Sequence, residues 1–106
     1  MSQLPNRPII QKRDHHRSRA YINYVKSLPC IFPGCGLIPC GSAHHLKGVG
    51  HASGGSLTAP DYWAMPLCLE RGHHMLVQRT PEYWPMQWEW ICRTLGRAID
   101  EGIIRL

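Results

Sequence analysis

The chain has 106 residues, a net charge of +5 at neutral pH and five cysteines. An apolar core of this size gives marginal stability, so we expect a single domain held by a metal or a cross-link. An odd cysteine count behind a polar, basic N-terminal sequence argues against a secreted disulfide scaffold. No apolar run approaches the eighteen or so residues needed to span a bilayer. We therefore expect a cytoplasmic protein with no membrane partner.

Positive charge is concentrated near the N-terminus, where Asp14 is the one acidic residue among six basic ones: Arg7, Lys12, Arg13, Arg17, Arg19 and Lys26. Such asymmetry suits a polyanion, because each neutralised phosphate releases counterions. Arg13, Arg17 and Arg19 are thus candidate nucleic-acid contacts. The alternative is a solvated basic face that only maintains solubility.

The first predicted elements are an arm and a helix. Residues 1–14 contain two prolines and little periodicity, which predicts a flexible basic arm, and residues 15–106 form the domain. Apolar residues at helical spacing predict a helix from His15 or His16 to Leu28, with Asp14 as its N-cap.

A hairpin and a short helix follow. The segment "AHHLKGV" predicts one strand, residues 48–60 a glycine-rich loop, and "YWAMPLC" a return strand in which apolar positions alternate. The segment "CLERGHHMLVQRT" predicts a turn and a short helix.

The C-terminal segment predicts a long amphipathic helix at about 82–101. Its apolar face has steps of three and four residues: Trp84, Trp88, Ile91, Cys92, Leu95, Ile99 and Ile103. This phase makes Cys92 buried, Trp84 and Trp88 part of the core or of an oligomer contact, and Trp90 exposed. The oligomeric state stays open, with a dimer as one alternative. The fold class is α+β.

Two short cysteine-containing segments predict a structural zinc site. Four residues separate Cys30 from Cys35, and four separate Cys68 from His73. Each spacer holds a turn-forming Pro or Gly, so the four side chains can form a tetrahedral set. Cys40 is an alternative to Cys35 or Cys30 in this set. The competing interpretation is five reduced, packed cysteines without metal.

Two pairs of adjacent histidines indicate a second site. His44 and His45 alternate on the predicted strand, and His74 and Gln78 share one helix face. If the hairpin packs on that helix, His44, His74 and Gln78 can surround a divalent cation such as Mg, Mn, Ni or Zn. Histidine titrates near neutral pH, so His45 could take a proton from water.

The loop beside the first histidine pair suits a nucleic-acid backbone. Glycines at 48, 50, 54 and 55 would permit close approach, and Lys47 could contact a phosphate.

The segments "AHHLKG", "APDYW", "MPLC" and "GHHMLVQ", in this order, resemble the HNH (ββα-metal) nucleases. The likeness is to the small phage-encoded branch that includes the RecA-dependent nuclease Ref, and it covers about 27–78. It implies a zinc-stabilised ββα-metal core in which His44 and His74 bind the catalytic metal and His45 is the general base. It also implies that His73 completes the structural zinc site and that Asp61 positions the loop or His45.

Two positions depart from the family pattern. Gln78 stands where the family has a histidine ligand, and Thr58 where relatives often carry a lysine.

The resemblance implies a metal-dependent endonuclease that hydrolyses DNA with low sequence specificity in phage or prophage recombination or processing. DNA would be its partner, with a recombination protein as a further candidate. The alternatives are a non-catalytic zinc-stabilised module that binds nucleic acid or a partner protein, and a metal-dependent hydrolase with another substrate.

Overall fold

The computed structural model describes residues 17–48 and 59–105. In these ranges the chain forms α1 (Arg19–Ser27), β1 (Ala43–His45), β2 (Ala64–Pro66), α2 (His73–Arg79) and α3 (Gln87–Asp100), with 3-10 turns at Asp61–Trp63 and Pro81–Met86. The two strands pair antiparallel. The fold is thus a small mixed α+β structure, as expected for the class. The predicted arm at 1–14 lies outside the described residues.

Helix α1 begins later than the sequence predicted. The Ser18 hydroxyl accepts a hydrogen bond from the Tyr21 N–H at 3.2 Å and so caps the helix N-terminus. The start at His15 or His16 with Asp14 as the cap was therefore wrong, because Ser18 satisfies the first turn. Pro29 disfavours helical geometry in the preceding residue, which accounts for the end at Ser27.

The hairpin places His44 opposite Met65 and His45 opposite Ala64. All three residues of β2 are buried, so its expected alternation of buried and exposed side chains is absent. The reason is that both α1 and α3 contact this strand. The short sheet is therefore an internal support for the histidines of β1.

Helix α3 has a different phase from the predicted helix at 82–101. Pro81–Met86 forms a 3-10 turn, with three residues per turn instead of 3.6, and the α-helix begins at Gln87. Trp90 is consequently buried (2% exposed), whereas Trp88 is 39% exposed. Cys92 is also exposed. The predictions of a buried Cys92 and an exposed Trp90 were wrong for this reason.

The main apolar core joins the hairpin to α2 and α3. Its buried members include Leu46, Met65, Leu67, Val77 and Trp90, together with three cysteines: Cys30, Cys40 and Cys68. A smaller group, built on Tyr21, Val25 and Ala98, fixes α1 against α3. Among the helices of the described residues, none is long and apolar enough to cross a membrane.

Candidate metal and catalytic site

The four predicted structural zinc ligands lie together. One ligand atom from each of Cys30, Cys35, Cys68 and His73 falls within 4.8 Å of the others, and we call this group the cysteine cluster. The Cys35 and Cys68 sulfurs are 3.9 Å apart, and the Nδ1 atom of His73 is 3.4 Å from the Cys68 sulfur. Tetrahedral zinc with Zn–S bonds of about 2.3 Å places two sulfurs about 3.8 Å apart. The cluster can therefore bind a structural metal ion.

Local backbone hydrogen bonds shape the cluster. The Cys30 N–H donates to the Leu37 carbonyl at 2.9 Å, and the Cys35 N–H donates to the Phe32 carbonyl at 3.0 Å, which folds the first segment back on itself. The Cys68 N–H donates to the Cys30 sulfur at 3.4 Å and links the two segments. Four ligands distant in sequence thus meet through short-range turns.

The surroundings of the cluster favour the thiol form of the buried Cys30 and the thiolate form of the more exposed Cys35. Burial raises the pKa of Cys30 to about 12. A hydrogen bond from the Leu37 N–H lowers the pKa of Cys35, toward which the Arg71 guanidinium also donates at 3.7 Å. The Phe32 ring stacks on His73, with ring centroids 4.3 Å apart, and fixes its orientation. Metal binding would displace the thiol protons and stabilise the fold.

Cys40 belongs to the core and not to the cysteine cluster. Its buried thiol donates to the Ser42 carbonyl at 3.1 Å and lies 3.4 Å from the Val25 carbonyl. The alternative ligand set containing Cys40 is therefore not the one that the structure assembles.

The second predicted site brings His44 and His74 together. Their ring centroids are 4.6 Å apart and the rings are nearly perpendicular, at 84°. His44 is 2% exposed, and within residues 17–48 and 59–105 neither of its ring nitrogens has a hydrogen-bond partner. The Nδ1 atom of His74 is 2.6 Å from the Ser42 hydroxyl oxygen, which orients that ring. A buried imidazole with two unpaired nitrogens is costly unless a ligand uses one of them.

Both rings are held in the neutral form. Burial, together with the adjacent His74, lowers the pKa of His44 to about 4, and the nearby Gln87 amide only partly offsets this shift. Burial and the neighbouring His45 also lower the pKa of His74. A neutral imidazole carries a free lone pair, which is the form that binds a metal ion.

His45 pairs with Asp61. The His45 Nε2 atom is 2.9 Å from the Asp61 Oδ1 atom, and the Ser18 N–H donates to Oδ2 at 2.6 Å. The Arg17 guanidinium lies 3.5 Å from Oδ1. Although burial raises the pKa of Asp61, the hydrogen bonds from His45 and Ser18 outweigh it and lower this pKa. Since an ionised carboxylate only accepts, Nε2 of His45 must carry its proton, which leaves the lone pair on Nδ1.

Gln78 stays a predicted third ligand of this site. It is exposed on α2, one helical turn after His74, and no hydrogen bond in the described ranges links it to either histidine. In the same ranges the cysteine cluster is the one group of three or more His, Cys, Asp or Glu side chains close enough to share an ion. The described residues therefore offer two imidazoles at the second site, with Gln78 one turn further along α2.

Basic side chains of α1 and of the preceding Arg17 share a surface depression with Asp61. Arg17, Arg19 and Lys26 line a depression of about 280 Å³ together with Ile22, Asn23 and Asp61. Arg13 lies outside the described residues, and Lys47 is half-buried after β1.

Gly48 packs against Trp84. Its φ of +87° favours glycine, and a side chain there would overlap the Trp84 ring. Trp84 occupies the direction that a side chain at position 48 would take, and the close approach of a nucleic-acid backbone to this exposed glycine stays a prediction. Residues 50, 54 and 55 lie outside the described ranges.

Sequence reasoning missed two polar residues near the histidines. Ser42 orients His74, and Gln87 bonds the backbone after β1. Neither residue belongs to a recognisable motif, because each acts on a residue more than thirty positions away.

These features define a small α+β protein with a candidate structural zinc site next to the buried His44 and the half-buried His74. The sequence profile of the DUF968 family matches residues 6–102, so the chain belongs to this family, which is described as protein of unknown function. No curated protein and no solved structure matches the chain.

Proposed function

We propose that this protein is a metal-dependent endonuclease of the HNH type. It would hydrolyse DNA phosphodiester bonds with low sequence specificity, in phage or prophage recombination or processing. The observation that carries this proposal is the buried His44 beside His74, since neither ring nitrogen of His44 has a hydrogen-bond partner among the residues that the structure describes. The next residue on the strand, His45, pairs with a carboxylate.

The donor set fits a divalent cation. Neutral imidazoles from β1 and α2 would hold it, and imidazole accepts Zn, Ni, Cu or Fe more readily than Mg. The cation would neutralise charge on the scissile phosphate and on the leaving oxygen. Two protein ligands leave room for water and substrate, as a catalytic centre requires.

His45 is suited to remove the proton from the attacking water. Asp61 accepts the Nε2 proton and so leaves the Nδ1 lone pair to receive another. As the ring becomes positively charged, the carboxylate stabilises it at 2.9 Å. Asp61 in turn is fixed by the Ser18 N–H and is therefore a positioning residue.

The basic depression on α1 supports DNA as the substrate. Arg19 and Lys26 are exposed and are seven residues apart, so they lie on one face of the helix. That face continues to Arg17 and Asp61, next to His45. A phosphate backbone along this face would reach the proposed base. Lys47, two residues after His45, could contact the same strand.

Nicking of supercoiled plasmid tests the proposal. The protein, with zinc in its cysteine cluster, is incubated with Mg, Mn, Ni or Zn in turn. We expect nicking with at least one metal and a loss of at least about a hundredfold in His45→Ala, because a general base contributes that much or more. Cys92→Ala, an exposed change on α3, serves as the control and should keep full activity. No nicking in any metal would contradict the proposal.

DNA affinity measured against salt tests the binding face. Removing a side chain that neutralises one phosphate should lower the slope of log affinity against log salt by about one. We expect this change for Arg19→Ala and Lys26→Ala. Arg93→Ala and Arg97→Ala are matched controls on α3, where each arginine pairs with a glutamate. Equal effects in both pairs would argue against a specific face.

One observation favours a non-catalytic, zinc-stabilised binding module as the second candidate. Gln78 stands where the resemblance implies a histidine ligand, and it is exposed on α2, so the proposed catalytic cation would have one imidazole ligand fewer than that pattern implies. Such a module would bind one metal ion per chain and retard DNA without nicking it. Metal analysis of the purified protein separates the candidates, because the nuclease should bind two.

A further inference from the structure

Gln87, the first residue of α3, is a fully buried polar side chain that lies near His44 and that the proposed chemistry assigns no role. Its Oε1 atom accepts the Lys47 N–H at 3.0 Å, and its Nε2 group donates to the Lys47 carbonyl at 2.9 Å. A second Nε2 bond reaches the Trp84 carbonyl at 3.0 Å. Both Nε2 hydrogens and the oxygen are thus engaged, and two of the three bonds fix one residue.

These bonds replace a missing strand partner. The pairing of β1 with β2 ends at His45 and Ala64, and the Leu46 N–H continues it by donating to the Trp63 carbonyl at 3.0 Å. Lys47 follows as the chain leaves the sheet. The Gln87 amide offers it a carbonyl and an N–H, as the backbone of a neighbouring strand would.

The residue after Lys47 is fixed by different means. Gly48 packs against the Trp84 ring, and the Trp84 Nε1–H donates to the Val77 carbonyl at 2.9 Å. The backbone from His45 to Gly48 is thereby held by β2 and Trp63 at its start and by Gln87 and Trp84 at its end. This segment carries the proposed base at one end and a half-buried lysine two residues later.

We propose that Gln87 is a positioning residue that holds the Lys47 backbone so that the lysine ammonium meets a phosphate of the DNA strand cut beside His45. The inference rests on the proposed nuclease function and adds to it a residue that positions a phosphate-binding lysine. It makes the start of α3 part of the substrate-binding machinery, although Gln87 itself would touch no DNA.

A purely packing role would not need this amide. Burying an amide costs free energy that its hydrogen bonds only offset, so an apolar side chain of similar volume would fill the space as well. The chain instead carries a group whose acceptor and donor match the two backbone groups of Lys47. That match specifies a conformation and not just a volume.

The test compares Gln87→Met with a matched control, Thr94→Val. Methionine nearly preserves volume and removes all three hydrogen bonds. Thr94 is another buried polar residue of α3, but its hydroxyl donates within the helix, to the Trp90 carbonyl at 2.8 Å. Three quantities are measured for each protein: hydrogen exchange of the Lys47 amide, affinity for a labelled DNA duplex, and kcat and KM for nicking.

We expect Gln87→Met to increase exchange of the Lys47 amide about tenfold or more. DNA affinity should fall about tenfold and KM should rise with little change in kcat, since a phosphate contact to a charged group is weakened. Thr94→Val should leave all of these unchanged. Loss of folded protein alone would instead lower the apparent kcat at constant KM, and that outcome would overturn the inference.

A double substitution tests whether Gln87 affects DNA binding through Lys47. Lys47→Ala should itself weaken DNA binding, and adding Gln87→Met should then cause no further loss. Additive losses would overturn the inference, because Gln87 would then act independently of the lysine. If Gln87→Met does not fold, Gln87→Glu is used in both backgrounds, as it keeps the shape and the acceptor but removes the donors.

The design separates this inference from the nuclease proposal. If the wild-type protein nicks no DNA in any metal, the proposed function fails. If it nicks DNA but Gln87→Met binds and turns over like wild type, the inference fails and the proposed function stands.

Discussion

Adjacent residues at the start of α2 serve two different sites. His73 joins the cysteine cluster, whose four ligands all come from the chain. His74 lies against His44, where two imidazoles meet and the described part of the chain gives the His44 nitrogens no hydrogen-bond partner. Consecutive side chains on a helix diverge by about 100°, so a single turn of α2 can supply one histidine to each site. The comparison separates a closed set of ligands, typical of structural metal, from an open one that a substrate can enter.

Removing a ligand from the closed set should have the largest effect. Cys68→Ser is expected to abolish zinc binding and cooperative folding, because structural zinc contributes on the order of 10 kcal/mol, comparable to the whole stability of a small domain. Circular dichroism with metal analysis measures both. Cys92→Ser, outside the cluster, should bind zinc and melt like the wild type. A folded, zinc-free Cys68→Ser protein would show that the two sites do not differ in this way.

A substitution in the open set, the His44–His74 pair, should change stability and activity in opposite directions. In protein with zinc in the cysteine cluster and no other cation, His44→Leu is expected to raise the free energy of unfolding by about 1–3 kcal/mol, since it removes a buried polar ring that has no hydrogen-bond partner within residues 17–48 and 59–105. Nicking should fall at least about a hundredfold.

Chemical denaturation and plasmid nicking measure these two effects of His44→Leu. A destabilised protein with normal activity would contradict the distinction, because His44 would then be an ordinary core residue.

Asp61→Asn should have a smaller, pH-dependent effect. We expect a loss of about 1–2 kcal/mol at pH 7, from the bonds to Ser18 and His45. The folded-state pKa of Asp61 is lowered, so its contribution is complete above the ordinary carboxyl pKa of about 3.9 and is lost as pH falls through the lower, folded-state value.

The melting temperatures of wild type and Asp61→Asn, compared at each pH where both fold, measure this contribution. Both proteins carry the same cysteine cluster, so acid release of zinc affects them alike. A difference that widens toward acid pH would show that Asp61 is not stabilised in its ionised form.

Gln78→Ala should have the smallest effect. Gln78 is exposed and has no hydrogen bond to the histidines in the described residues, so we expect less than about 0.5 kcal/mol in stability and less than a twofold change in nicking. His74→Ala, one turn earlier, is the comparison and should lose activity. A large loss in Gln78→Ala would mean that the open set closes around the cation with a third side chain.

The sequence predicted those parts that depend on local spacing. The separations of Cys30 from Cys35 and of Cys68 from His73 identified all four members of the cysteine cluster, because short turns are determined by nearby residues. The strand with His44 and the short helix with His74 were likewise correctly located.

Features that depend on phase or on distant contacts could not be predicted in this way. A 3-10 turn at Pro81–Met86 continues an apolar pattern at a different period, which exchanged the environments of Trp88 and Trp90. The contact of Gln87 with Lys47 joins residues forty positions apart, and nothing near either residue signals it. Tertiary packing decides both.

The close contact between Gly48 and Trp84 means that these two positions cannot vary independently. Any larger residue at position 48 would need a smaller ring at position 84 and would still have to adopt a left-handed backbone. Related chains should therefore exchange both residues together or neither, which gives a pairwise signature to look for when this family is aligned.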